Sequence, residues 1–433
     1  MKIRIYLIYR LSALIGIFLF LISPTRFRQP NFTLRTATTQ ALQTLLDKLP
    51  ASGGVVRCPP GTYVVSNHSI TLSNKSNVTM IGQEGVIWVN TSPTVPTFVA
   101  TGRCKNIRLT GIQWISRVES TTVLPNALLQ TYDDAQLDGF ELDHCRFTTN
   151  RANQNAVGFR PYTARSEHGS GTGHLLRGVN IHHCTFENIG RMGVELTSHV
   201  HADNGSAVYY ENFTFANNRG TNLGWIDGKN GMLLSLSGIG RGINVHDNII
   251  TDARYGGLEF VGCQYIEAAN NRFNSTGATT YSAYAISPAG SLRPAHIRIR
   301  GGGGYVKGRP FILYGDQFNV QGGDWTSENP TDIRGRQGTL SGVRLAVTTG
   351  VEGGGGNVLQ LHECADVMIS GCVLTLTSTR QTNYSVVDFG PVRSNTRCSL
   401  LNNVLKRPAN GVDNFVHTEA GHTHQIEGNQ EKK

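Results

Sequence analysis

Charge is scarce in this chain of 433 residues: only 16% are Asp, Glu, Lys or Arg. No Cys-x-x-Cys pair occurs among the eight cysteines, which excludes a zinc ribbon or a thioredoxin-type redox motif. There is no Gly-x-y period, so a collagen-like triple helix is excluded as well. After the first 25 residues no apolar run approaches the roughly 20 residues of a membrane span. Lysine is rare too, nine residues, so the basic excess (formal net charge +9) rests on 30 arginines. Arginine's planar fork suits carboxylates and phosphates, but these side chains are scattered and form no stripe, which argues against nucleic acid.

What is abundant is Gly (50) and Asn (33). Both favour turns and left-handed backbone, which speaks against a helical protein. Enough Val, Ile, Leu and Phe remain for a core.

Residues 1–25 begin with Lys2, Arg4 and Arg10, continue through the uncharged Leu11–Ser23, and carry no acid. They read as a secretory signal peptide, or as an uncleaved N-terminal anchor, which is the only membrane contact expected. The expected location is secreted, periplasmic or cell-surface. Without its leader the body carries +6. Nine Asn-x-Ser/Thr sequons occur, close to what this composition yields by chance.

One nine-residue pattern recurs: x, apolar, x, apolar, x, small or polar, Asn/Cys/Gly, x, large apolar. Clear copies are Gly139-FELDHCR-Phe147, Gly178-VNIHHCT-Phe186, Gly242-INVHDNI-Ile250 and Tyr265-IEAANNR-Phe273. Weaker ones begin near Asn77, Asn106, Ala207, His296, Gln317, Asp366, Arg397 and Thr423, making about twelve at spacings of roughly 21–49 residues. Period-two alternation makes each copy a strand with one buried face, ending in a corner. Stacked copies form a single-domain parallel β-helix over residues 51–431, an all-β rod about 55–60 Å long. The seventh position (Cys145, Cys184, Asn248, Asn271, Cys372, Asn403) reads as an inward ladder, with free buried thiols preferred over a Cys145–Cys184 disulfide. Residues 26–50 hold a linker and a capping helix, with Leu42, Leu45, Leu46 and Leu49 on one face.

That helix, followed by Gly53-Gly-Val-Val56, Pro59-Pro-Gly-Thr-Tyr63 and the Asn/Gly-rich copies, resembles the pectate-lyase-like superfamily of right-handed β-helix proteins. The resemblance covers residues 36–430. It implies a substrate groove along the strand that precedes the repeat strand, flanked by long loops. It is specific for fold and leaves polysaccharide lyase, glycoside hydrolase, epimerase, tailspike and adhesin open.

Carried over by position, Gly193-Val-Glu-Leu196 and Gly257-Leu-Glu-Phe260 line that groove in coils 3–7. Glu195 and Glu259 point outward, with Leu233 in the corresponding place between them. Two coil steps, about 9–10 Å, suit a glycosidase carboxyl pair. Arg191 and Arg254 enter the same strands, and with Tyr255 they could neutralise a uronate and abstract its proton, as a lyase requires. Trp225, Asp227 and Lys229 offer a platform, an acid and a base for substrate binding. His199 and His201, with Asp203, share one face if extended; no metal site is complete and no cofactor is required, but a divalent cation is compatible with that run. Asp143, His182, Glu211 and His246 form an outward stripe read as structural, on the back of the rod.

Several marks of specific subfamilies are missing: Asn-Thr-Asp with Gly-His-Gly, Asp-Pro-His-Glu, and an Asp-rich calcium cluster. The expectation is an exported carbohydrate-active β-helix that cleaves or modifies a polysaccharide, by lyase or hydrolase chemistry. The alternative is a non-catalytic, adhesin-like glycan-binding β-helix. A polysaccharide or oligosaccharide is the expected partner in both.

Overall fold

The computed structural model describes residues 29–131, 135–160, 176–197, 210–238, 240–275, 281–290, 292–348, 357–377, 385–390, 395–407, 414–418 and 424–432. After strand β1 (Asn31–Thr33) and helix α1 (Thr39–Lys48), the first coil is β2 (Gly54–Cys58), β3 (Gly61–Val65) and β4 (Ile70–Ser73). Every later coil repeats this three-strand turn in parallel register. The result is three sheets: sheet A of 15 strands containing β1 and β2, sheet B of 14 beginning at β3, and sheet C of 13 beginning at β4. This is a right-handed parallel β-helix with one continuous core running its length.

The corners explain the composition. Between sheets A and B each coil places one residue in left-handed backbone, for example His144, His183, Asn217, Asp247 and Asn270 at φ of 52–55°. Asn and Gly tolerate this best. The next residue turns inward and bonds coil to coil: Asn218 accepts from the Cys184 amide at 2.9 Å, Asn248 from the Asn218 amide at 2.9 Å, and Asn271 from the Asn248 amide at 3.0 Å. Cys145, Cys184 and Cys372 occupy the same inward position, and all eight cysteines are free, buried thiols.

The N-terminal cap closes all three open edges, which would otherwise template further pairing. β1 pairs with β2. Thr39 Oγ1 donates to the Val64 carbonyl at 3.1 Å. The Gln43 amide makes two bonds to Thr71 (3.1 and 2.7 Å), standing in for a missing neighbour strand beside β4. Thr38 caps the helix through the Ala41 amide at 3.2 Å, and Leu42, Leu46 and Leu49 are buried.

Two coils depart from the pattern read in the sequence. The copy assigned at Ala207 begins at Asn212, because Thr214 pairs with Asn180. Its ninth residue is Gly220 rather than a large apolar residue, and the Leu233 side chain fills the vacant volume. A further coil over Arg336–Ser341 escaped the pattern because Gly338 sits where an apolar side chain belongs; the Phe318 ring of the preceding coil occupies that space. With it and the first coil, sheet A without β1 and sheet B each count 14 coils, two more than the twelve expected. Residues 1–28, which include the segment 1–25 expected to be a signal peptide or anchor, lie outside the described residues.

Candidate functional site

Sheet C presents one outward row along the rod. In the strands Val194–Thr197, Leu234–Ser237 and Gly256–Val261, the apolar residues Val194, Leu196, Leu234, Leu236, Leu258 and Phe260 face the core. The residues between them face out, and the register reads Gly158, Glu195, Ser235, Glu259, Ala285. Glu195 and Glu259 are thus two coil steps apart, about 9–10 Å between backbones. The residue between them is Ser235, not Leu233. Leu233 precedes the strand and turns inward to fill the space beside Gly220, which shifts the alignment by two positions.

The two carboxyl groups have opposite surroundings. Glu195 Oε1 pairs with Arg191 Nη1 at 3.0 Å, and Glu195 Oε2 accepts from Asn155 Nδ2 at 2.5 Å. Asn155 in turn accepts from Arg191 Nη1 at 3.2 Å and from the Met192 amide at 3.1 Å. Asp227 completes the network, with Oδ2 at 3.9 Å from Arg191 Nε. Glu195 thus accepts from two donors, one of them cationic. Glu259 has a single weak donor, Ser235 Oγ at 2.6 Å from Oε2. Burial pushes the Glu259 carboxyl up; the Ser235 bond opposes this, the Glu195 charge adds to it, Arg191 subtracts, and the net direction is upward.

Beside Glu195 a cavity of about 330 Å³ opens under the segment 123–127. Gly158 adds no side chain below Glu195, which leaves that floor open. Gln130, 1% exposed, lines the cavity; its Oε1 accepts from the Ala127 amide at 3.0 Å while its Nε2 has no partner among the described residues. Arg160 borders the same cavity, donating to the Pro125 carbonyl at 2.8 Å.

The other residues expected at the site distribute around it. Tyr255 stacks on Tyr281 (centroids 5.2 Å, 19°), and its phenol is pushed up by burial, then by Tyr281 and by the Glu259 charge. Arg254 Nη1 donates to the Trp225 carbonyl at 2.8 Å. Asp227 joins the Arg191 network, whereas Trp225 lines a different groove with Arg117, Asn150 and Asn188. Lys229 is exposed, its backbone amide donating to Asp227 Oδ1 at 3.2 Å. His199, His201 and Asp203 lie outside the described residues.

Sequence reasoning missed Asn155, Ser235 and Gln130, which come from other coils and are reached only through register. It also missed Asp332, further along the same row, 6% exposed and accepting from the Tyr314 hydroxyl at 2.7 Å. Thr331-Asp-Ile-Arg334 repeats the outward-acid pattern of Val194-Glu-Leu, so aligning each strand before its corner would have found it.

On sheet A the stripe reads Asp143, His182, Ala216, His246. Glu211 is not in it. The five-residue slip at Ala207 had put Glu211 there; it pairs instead with Arg177 and Arg241 at the strand start. Asp143 is wholly buried and accepts from Arg108 Nε and Nη2 at 2.9 Å each, from Thr110 Oγ1 at 2.9 Å, and contacts His144 Nδ1 at 2.7 Å. Burial raises its pKa, but the Arg108, His144 and Thr110 bonds outweigh this and bring it down to about 2. Glu141, Asp143 and His182 are the one group among the described residues with metal-ligand spacing. Arg108 already claims both Asp143 oxygens, so a cation there would meet a resident positive charge.

No protein-family model matches the sequence, and no curated protein matches it. Solved structures do. Tailspike protein 3 of bacteriophage CBA120 is 13% identical, covers 90% of this chain and superposes with a TM-score of 0.52; this chain spans 58% of its length. PfbA, a surface adhesin of Streptococcus pneumoniae, is 12% identical over 88% of both chains, with a TM-score of 0.55. A DFA-IIIase from Arthrobacter chlorophenolicus, in complex with DFA-III, is 11% identical over 90% of this chain and 99% of its own, with a TM-score of 0.53. At such identities the likeness is one of fold. What the chain shares with them is a right-handed parallel β-helix fold.

Proposed function

We propose that this β-helix is a carbohydrate-active enzyme that hydrolyses a glycosidic bond over sheet C. The observation that carries the reading is the Glu195–Glu259 pair, one row and two coils apart, with Glu195 bonded to Arg191 and Asn155 while burial pushes the Glu259 carboxyl up. Glu259, its carboxyl pushed up by burial and by its neighbour's charge, is the general acid that donates a proton to the glycosidic oxygen. Glu195, oriented by Arg191 and Asn155, is the general base that takes a proton from the water attacking the anomeric carbon. Backbones two coil steps apart, about 9–10 Å, allow the two carboxyls the wider spacing that an inverting pair needs to admit that water.

Hydrolysis fits these residues better than elimination. A lyase needs a base beside the sugar, and burial pushes the Tyr255 phenol away from its ionised form. Arg254 is directed to the Trp225 carbonyl. A leader with three basic residues before an uncharged run supports action outside the cytoplasm. The fold it shares with an adhesin and a DFA-IIIase is consistent with a saccharide ligand.

A non-catalytic glycan binder is the second reading, favoured by the closure of Arg191 onto Glu195, Asn155 and Asp227. The test is a panel of defined polysaccharides incubated with the protein and with its Glu195→Gln and Glu259→Gln variants. Reducing-end release that both variants lose supports the hydrolase. Retained binding without release by the unaltered protein supports the binder, and release unchanged in both variants removes the pair from the mechanism. Unsaturated product absorbing near 235 nm would redirect the reading to a lyase (a general acid–base elimination).

A further inference from the structure

We infer that the groove around Trp225 is a second saccharide-binding site, separate from the acid pair and built to grip a sugar ring by its apolar face. The groove measures about 570 Å³ and lies on the far side of the turn that joins sheet B to sheet C. Neither Glu195 nor Glu259 borders it.

Trp225 is half-buried and held rigidly by its backbone. Its amide donates to the Ile189 carbonyl at 3.4 Å, the next two amides donate to the Gly190 carbonyl at 3.3 and 3.0 Å, and its own carbonyl accepts from Arg254 at 2.8 Å. An indole fixed in this way loses little freedom when a ligand stacks on it. Asn150, Asn188 and Asn222, one from each of three successive coils, line the same groove as the indole, all in left-handed backbone at φ of 47°, 52° and 53°. That conformation is sterically costly for most residues and lifts each amide outward at the coil spacing of about 4.8 Å. Asn222 Nδ2 donates to Asn188 Oδ1 at 2.8 Å and Asn150 Nδ2 to the Ser116 carbonyl at 3.0 Å. Each of these amides keeps further donor or acceptor capacity on an accessible side chain.

An aromatic plane in one groove with a ladder of amides matches a pyranose, with C–H bonds on one face and hydroxyls that both donate and accept around its edge. On the rim Arg151 pairs with Glu119 at 3.0 Å and Arg117 adds a single positive charge, too little to hold a polyanion, so a neutral sugar fits better. The loop that presents Trp225 also carries Asp227, 3.9 Å from Arg191. A polymer held at Trp225 would therefore be tethered beside the sheet C groove, which raises its local concentration there.

Fluorescence tests this without a known substrate. Trp88, Trp114 and Trp325 are 0% exposed, so of the four tryptophans Trp225 is the one that acrylamide can reach. The probes are gluco-, cello-, manno-, xylo-, galacto- and chito-hexaoses at about 10 mM, a concentration that saturates a millimolar site. The expected result is that at least one lowers the acrylamide quenching slope by roughly twofold or more, that Trp225→Phe abolishes the effect, and that Asn188→Ala with Asn222→Ala weakens apparent affinity about tenfold. The same protection should persist in Glu259→Gln. Failure of every hexaose to protect overturns the site, as does protection that the Asn pair does not weaken. Protection retained in a protein that turns over no glycan leaves this site standing and sinks only the hydrolase reading.

Discussion

The two long faces of the rod carry acids in similar strands yet treat them in opposite ways. On sheet A, Asp143 is wholly buried but receives a bidentate guanidinium and a hydroxyl, and its carboxyl falls to about 2. On sheet C, Glu259 has one hydroxyl donor and a second carboxylate on its own row, and its carboxyl rises. A buried carboxylate with its donors satisfied is a structural element; one left short of donors beside a like charge is ready to move a proton. Burial is common to both, and donor count separates them.

Substitutions can break this contrast from either side. The largest effect is expected on turnover: Glu259→Gln and Glu195→Gln should each lower kcat by roughly 10²–10⁴ on the glycan that the panel identifies, with little change in the urea midpoint. On the sheet A face the consequence should be stability instead. Arg108→Met leaves Asp143 buried without its fork and should cost about 2–4 kcal/mol in urea unfolding, with activity per folded molecule retained. The pH dependence of stability should also split. Asp143's folded value lies below its ordinary 3.8, so its contribution is full above that value and is lost as pH falls toward about 2; Arg108→Met should remove that limb. Glu259's folded value lies above its ordinary 4.5, so the fold loses stability as pH rises from 4.5 through the raised value, and Glu259→Gln should abolish that loss.

At the corner between sheets A and B runs the Asn ladder, which belongs to architecture alone. Asn248→Ala removes bonds to the Asn218 amide, the Phe215 carbonyl and Asn271, and should cost roughly 1–3 kcal/mol. The smallest effect sharpens the contrast most finely. Ser235→Ala deletes the one bond that lowers the Glu259 carboxyl, so the alkaline limb of activity should move to higher pH by less than about one unit.

The fold was legible because its corners repeat. Asp247-Asn248 and Asn270-Asn271 mark the same left-handed step and inward turn, coil after coil. It became illegible where a glycine replaced a core side chain and a neighbour filled the volume, at Gly220 and Gly338. The first lapse propagated to the site. It moved Glu211 into a stripe that contains Ala216, and the related shift on sheet C put Leu233 where Ser235 stands. Glu195 and Glu259 could be named because their strands alternate cleanly. Asn155 and Gln130 could not, because they reach the site from loops and strands of earlier coils and no local pattern encodes that approach.

The claim that Glu259 is pushed up by burial and by the Glu195 charge can be tested without any substrate. Carbon-13 NMR titration of labelled glutamate carboxyls, assigned through the two Gln variants, reads the ionisation of Glu259 directly. The expected result is a Glu259 midpoint above the ordinary 4.5 that falls when Glu195 is replaced by Gln. A midpoint at or below 4.5, unmoved by Glu195→Gln, would contradict the account.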